Sequence, residues 1–165
     1  MLQFLQEVIV MDIINIMDNE KFLNEYIKVC SLEWDSLKSK EQIQQHINIK
    51  KNKIFTGDKV ISILGLIEND KMLGFISLFK YDGEERRDLT PWYATMYVKK
   101  EYRNKGYSKI LNDAILKEAL RLGYSQVYLK TNLINYYEKF GAKYIDKLSN
   151  GEKLYYIKLD VEKLK

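Results

Sequence analysis

The sequence predicts a single α/β domain of the α+β kind, built on a mixed, mostly antiparallel sheet of six to seven strands flanked by about four helices. Three observations predict it. Segments of strand and helix character follow one another in the order β-α-α-β-β-β-α-β-α-β-β. No repeat, low-complexity stretch or Pro/Gly-rich linker divides the 165 residues, the length of one ordinary domain. Apolar residues make up 46% and charged residues 30%, the balance of a folded globular chain rather than a disordered one.

The elements follow from local pattern. The apolar run over 8–16 is a first strand. Asp18 or Asn19 caps a helix carrying Phe22, Leu23, Tyr26, Ile27 and Cys30 at three- and four-residue spacing. Ser39-Lys40-Glu41-Gln42 has capping-box form and opens a second helix with Ile43 and Ile47 on one face. Strands over 59–67 and 72–81 are rich in Ile, Leu, Val and Phe, and Glu68-Asn69-Asp70-Lys71 between them suits a hairpin turn. Asp82-Gly83 ends the second of these, and 84–88 is a charged loop. Pro91 stands at the mouth of a strand over 92–98, where a missing N–H costs least.

The clearest helix runs from about Gly106 to Leu122, with Leu111, Ile115, Ala119 and Leu122 inward and Gly123 as its stop. A short strand over 126–130 and a short helix over 134–140, stopped by Gly141, come next. The chain ends in a hairpin of 142–147 and 154–159 around Ser149-Asn150-Gly151. Antiparallel pairing dominates early in this order, and a β-α-β unit occupies the second half.

Charge and cysteine use exclude several classes. The net charge is +4, from 27 basic and 23 acidic residues. This suits a small anionic ligand and falls short of a dedicated nucleic-acid binder. One cysteine, Cys30, rules out an internal disulfide and a Cys-rich zinc site; no metal is expected. The opening residues carry no basic leader region, and the run over 8–16 is too short for a membrane span. A cytoplasmic protein with no membrane or nucleic-acid partner is the expectation.

The informative stretch is Tyr97-Val98-Lys99-Lys100-Glu101-Tyr102-Arg103-Asn104-Lys105-Gly106-Tyr107-Ser108. A strand ends, a basic turn with one glycine follows, and a helix begins. The first turn of a helix leaves N–H groups unpaired, and its dipole favours negative charge there. Gly106 permits a sharp turn and a close approach, while Arg103 and Lys105 add attraction. A diphosphate is the natural guest. No Gly-Lys-Ser/Thr ends the turn, and two of the three dinucleotide-fold glycines are missing, so neither of those phosphate loops applies. Alone, the stretch also reads as a charged, solvated strand-to-helix turn.

Val98 through Ser108 resembles the acyl-CoA motif of the GNAT acetyltransferase superfamily, a strand residue followed by R/Q-x-x-G-x-G/A. Arg103, Asn104, Lys105, Gly106 and Tyr107 fall on it; Ser108 replaces the usual Gly or Ala. Tyr136-Tyr137-Glu138-Lys139-Phe140-Gly141 is similar to the family's Y-E-K-x-G-F segment, with Ala142 in place of the usual Phe. Asp88 through Val98 resembles a subgroup whose central strand opens Thr/Ser-Pro-Trp. With the element order, the resemblance spans roughly 8–160.

The resemblance implies an N-acetyltransferase that moves an acetyl group from acetyl-CoA to a primary amine of a small molecule or peptide. It implies that Met96, Tyr97 and Val98 pair with the pantetheine arm and that the Val98 N–H faces the oxyanion. It implies that Arg103 through Ser108 hold the diphosphate, that Asn132 hydrogen-bonds the cofactor, and that Tyr137 is the general acid, with Tyr136 its rival. A monomer or homodimer fits. Two other classes remain: an acyl-CoA-binding module without catalysis, and a nucleic-acid-binding domain using Lys99, Lys100, Arg103 and Lys105. Glu84, Glu85 and Asp88 are expected near the acceptor's path, with no base assigned. His46 is expected at the surface or half-buried, Cys30 in the core, and Trp92 and Tyr93 either in the core or in the acceptor pocket.

Overall fold

A computed structural model describes residues 10–35 and 39–164. The chain forms β1 (Met11–Asn15), α1 (Glu20–Trp34), α2 (Lys40–Thr56), β2 (Val60–Glu68), β3 (Lys71–Phe79), β4 (Trp92–Val98), α3 (Tyr107–Arg121), β5 (Gln126–Thr131), β6 (Lys143–Lys147) and β7 (Lys153–Lys158). The seven strands make one sheet in the order β1-β2-β3-β4-β5-β7-β6. Every neighbouring pair is antiparallel except β4 and β5. The first two residues expected in the first strand, 8 and 9, lie outside the described residues.

Local chemistry sets the boundaries. The Asn19 side chain accepts from Phe22 N at the start of α1, and Ser39 Oγ accepts from Gln42 N at the start of α2. Asn69 and Asp70 take φ of 48° and 61°, a two-residue hairpin between β2 and β3. Gly123 takes φ 93°, and the N–H groups of Gly123 and Tyr124 cap the Leu120 and Ala119 carbonyls at the end of α3.

The sheet is covered on both faces. Phe22, Leu23, Tyr26 and Ile27 of α1 and Ile47 of α2 pack on Ile63, Met72 and Phe75. On the other face Leu111, Ile115, Leu116 and Ala119 of α3 pack on Leu73, Ile76, Leu78, Val127 and Leu129. Leu122 is not part of that core; it caps α3 and is exposed. Gly74 of β3 makes the sheet tight beside the later site. A Cβ there would lie 2.5 Å from the Tyr97 carbonyl oxygen and 3.1 Å from both Val98 Cα and a Leu111 methyl. Its lack of a side chain lets β3, β4 and α3 meet closely.

One element differs from expectation. The described chain has three α-helices, not about four, because 134–140 holds only the 3-10 turn Tyr137–Phe140. The reason is local. Asn135 takes φ 55° and Gly141 φ 87°, so left-handed residues bracket a span too short to repay helix nucleation.

Candidate active site

The central strands part at the middle of the sheet. β4 and β5 pair at Trp92 and Tyr128 alone, supported by Tyr128 N donating to Pro91 O at 3.0 Å. Beyond that point they share no ladder, and a cleft opens between them. Two cavities fill it. One, about 590 Å³, is lined by Tyr26, Cys30, Trp34, Asp35, Asp82, Tyr93, Thr95, Lys130, Asn132 and Glu152, among others. The other, about 550 Å³, is lined by Tyr97, Val98, Tyr102, Arg103, Asn104, Gly106, Tyr107, Ser108, Tyr136 and Lys139. Met96, Leu133 and Tyr137 line both.

The second cavity sits on the start of α3. Gly106 is the N-cap residue at φ 81°, with no side chain capping the helix and no acidic residue in its first turn. A Cβ on Gly106 would meet nothing within 4 Å, so the glycine is required by its left-handed backbone and faces open space. Asn104 is also left-handed, at φ 63°. A helix start without a side-chain cap leaves N–H groups unpaired, and its dipole favours negative charge there.

β4 presents backbone to the cleft. Lys99 N donates to Leu73 O at 2.9 Å, so Lys99 turns its polar groups toward β3. By strand alternation, Val98 turns its own groups to the opposite side. There the Val98 carbonyl accepts from Arg103 Nε at 2.8 Å, and the guanidinium lies 5.4 Å from the Tyr97 ring centre. Lys105 does not line the cavity; its ammonium lies 6.0 Å from the Tyr102 ring centre. Lys99 is ion-paired to Glu25 of α1.

Tyr137 lies at the junction of the cavities, its ring edge-on to Tyr93 (5.8 Å) and Tyr136 (4.8 Å). Burial, with a lesser contribution from Tyr136, pushes its hydroxyl up to about 12. A phenol so shifted stays protonated at neutral pH. Tyr136 lines only the helix-side cavity. Asn132 lines the other one.

Trp92 is fully buried, its indole N–H donating to Leu89 O at 2.9 Å, so it belongs to the core. Tyr93 is buried yet reaches the first cavity. Cys30 is half-buried, packs against the α1 core and also lines that cavity; desolvation raises its thiol to about 12, which keeps it protonated and unsuited to carry an acyl group. His46 is half-buried on α2, its Nδ1 at 2.7 Å from Gln42 O, and lines neither cavity.

The loop carboxylates are engaged elsewhere. Glu84 pairs with Arg87, and Asp88 takes two 3.1 Å bonds from Arg86, which holds its carboxyl below the usual range. Glu85 accepts from the Ser149 hydroxyl at 2.7 Å. None of the three lines either cavity. The cleft instead receives Asp35, Asp82 and Glu152, which the sequence did not single out; only Asp82, at a strand end beside Gly83, carried any local signal. Among the described residues no cluster of three or more His, Cys, Asp or Glu suits a metal, and no helix is long and apolar enough to cross a membrane.

Among curated proteins no sequence matches the chain. Solved structures of similar fold include an N-acetyltransferase from Staphylococcus aureus Mu50, with 19% identity, TM-score 0.63, and 93% of this chain and 99% of that one covered. Aminoglycoside 6'-acetyltransferase type Ii has 17% identity and TM-score 0.65 over 90% of this chain and 97% of that one. PaiA N-acetyltransferase from Thermoplasma acidophilum, solved in complex with coenzyme A, has 19% identity and TM-score 0.57 over 92% of this chain and 99% of that one. The model of the Acetyltransferase (GNAT) family matches residues 22–142, most of the chain. The chain therefore belongs to the acetyltransferase (GNAT) family and is an acyltransferase of that type.

Proposed function

We propose that the protein moves an acetyl group from acetyl-CoA to a primary amine of a small molecule or peptide, by direct attack of the amine. The observation that carries this reading is the meeting of two cavities at Met96, Leu133 and Tyr137. One cavity ends on an open helix start, suited to a diphosphate. The other is lined by aromatic rings and carboxylates, suited to a cationic amine.

Acetyl-CoA supplies an activated thioester. The amides that follow Gly106, with Arg103, Asn104, Tyr107 and Ser108 around them, take its diphosphate, and Lys105 adds positive charge from outside the cavity. Backbone groups of Met96 and Val98 pair with the pantetheine arm, Tyr97, whose backbone faces β3 as that of Lys99 does, lines the cavity beside it, and the Asn132 amide meets the same arm from the β5 side. The Val98 N–H, turned into the cleft, receives the negative charge of the carbonyl oxygen; one such donor is typically worth about 100- to 1,000-fold in rate. Tyr137 gives its proton to the departing thiolate. Its raised affinity for that proton keeps the acid form available at neutral pH. Asp35, Asp82 and Glu152 draw the ammonium form of the acceptor into the first cavity, where it loses one proton to solvent before it attacks; the proton shed by the nitrogen as the amide forms restores Tyr137.

Thiol release from acetyl-CoA with a panel of amines tests the reading. Amine-dependent release is expected. Tight coenzyme A binding with no release for any amine would leave a binding module in place of the enzyme.

A further inference from the structure

The cleft exists because β4 is bent in its middle, and the bend is held by a residue in a costly conformation. Phe75 pairs with Tyr97 and Ser77 with Ala94, so Thr95 and Met96 of β4 face the single residue Ile76 of β3. This is a β-bulge. Its first residue, Thr95, takes φ 51°. A β-branched side chain in the left-handed region is a true outlier and needs surroundings that hold it there. No glycine relieves the strain.

Three hydroxyls surround the bulge. Thr95 Oγ1 donates to Ser77 Oγ. Ser77 Oγ lies 2.9 Å from the Tyr26 hydroxyl, which in turn lies 3.5 Å from Thr95 Oγ1. Ser77 is fully buried on β3, and Tyr26 is buried on α1 with its ring edge-on to Phe75 at 4.7 Å. Burial raises the Tyr26 hydroxyl, which stays protonated. Removing the Ser77 hydroxyl leaves the buried Tyr26 hydroxyl and the half-buried Thr95 hydroxyl each short of a bond and frees Thr95 to relax.

We propose that the Tyr26–Ser77–Thr95 hydroxyl triangle clamps the β4 bulge, making Ser77 and Tyr26 positioning residues for the acyl-transfer cleft. They act through Thr95, setting the direction of the Met96 and Val98 backbone. The proposal rests on the acetyl-transfer reading for its kinetic consequence and on backbone geometry alone for the clamp.

The test couples Ser77→Ala with Thr95→Gly, because glycine adopts a positive φ without help. Ser77→Ala is expected to lower kcat about tenfold while coenzyme A affinity changes less than threefold, since the diphosphate end is held elsewhere. In the Thr95→Gly background the same substitution is expected to cost no more than about twofold. Crystal structures of the ligand-free variants should show residue 95 at negative φ in Ser77→Ala and positive φ in the double variant. The same loss in both backgrounds, or a positive φ at residue 95 in Ser77→Ala, overturns the clamp. Should Ser77→Ala not fold, Tyr26→Phe with Thr95→Gly gives the same comparison. Wild-type protein that releases no thiol with any amine removes the acetyl-transfer reading only, and φ at residue 95 still decides the clamp.

Discussion

The two cavities that meet at Tyr137 are built in opposite ways. The helix-side cavity is lined mostly by residues close in sequence, from Met96 to Ser108, around a left-handed glycine and a helix start with no side-chain cap. The other cavity is lined by residues from α1, the loop after β3, β4, β5 and the loop before β7. A backbone site needs few residue identities, only a glycine in the left-handed region and a helix that begins without a cap. A side-chain site needs particular residues from distant parts of the chain. The first should tolerate side-chain changes and fail on backbone change; the second should do the reverse.

The largest expected effect falls where both cavities share a residue. Tyr137→Phe is expected to slow turnover by about 100-fold or more, the lower end of what a positioned acid supplies, with coenzyme A affinity within twofold. Equal turnover in the two forms would reject the acid role. The pH profile sharpens the point. Because the hydroxyl is raised to about 12, it remains a proton donor through pH 10, and kcat/KM should show no falling limb below about pH 11. A limb centred near 10 would mean that the acid is a tyrosine in water-like surroundings.

Next in size is Gly106→Val, a backbone test. Forcing a β-branched residue to φ 81° costs roughly 1–2 kcal/mol, and the new side chain projects into the open space over the helix start. Coenzyme A affinity is expected to fall at least tenfold, with a Tm drop of only about 4 °C. Unchanged affinity would remove the diphosphate from the start of α3.

The other cavity should respond to charge instead. Asp82→Asn is expected to raise KM for the amine by about threefold to tenfold, an effect that shrinks in high salt, with kcat within twofold. Lys130, whose ammonium donates to the Asp82 carbonyl at 2.8 Å and lies 4.0 Å from its carboxylate, then faces the cleft uncompensated. The same KM in both proteins would mean that Asp82 only holds Lys130.

The contrast also explains what could be read from sequence. Gly106 after a basic turn and before an apolar helix encodes the anion site in consecutive residues, and the Asn19 and Ser39 caps encode the starts of α1 and α2 in the same way. The carboxylates of the cleft had no such signature. Glu84, Glu85 and Asp88 stood in the expected loop, yet each found a nearer partner in Arg87, Ser149 or Arg86. Asp35 and Glu152 come from the end of α1 and the turn before β7, and only tertiary structure brings them together. The bulge at Thr95 was equally hidden, because nothing in Ala94-Thr95-Met96 marks a left-handed residue. The span 134–140 read as helix because its composition allows one; the left-handed Asn135 is set by the path of the chain.

The smallest effect is the sharpest check on reading charge from sequence. Lys99 stands in the basic stretch with Lys100, Arg103 and Lys105, and in sequence it looks equally able to attract phosphate. In the fold its ammonium is paired with Glu25 of α1, and its N–H bonds Leu73. Lys99→Gln should therefore change coenzyme A affinity by less than twofold, and stability by no more than about 1 kcal/mol, as a partly exposed ion pair is worth little. Arg103→Ala should do more, because that side chain bonds the Val98 carbonyl and lines the helix-side cavity. If both substitutions weakened binding alike, diffuse positive charge, rather than the shaped start of α3, would be what draws the diphosphate in.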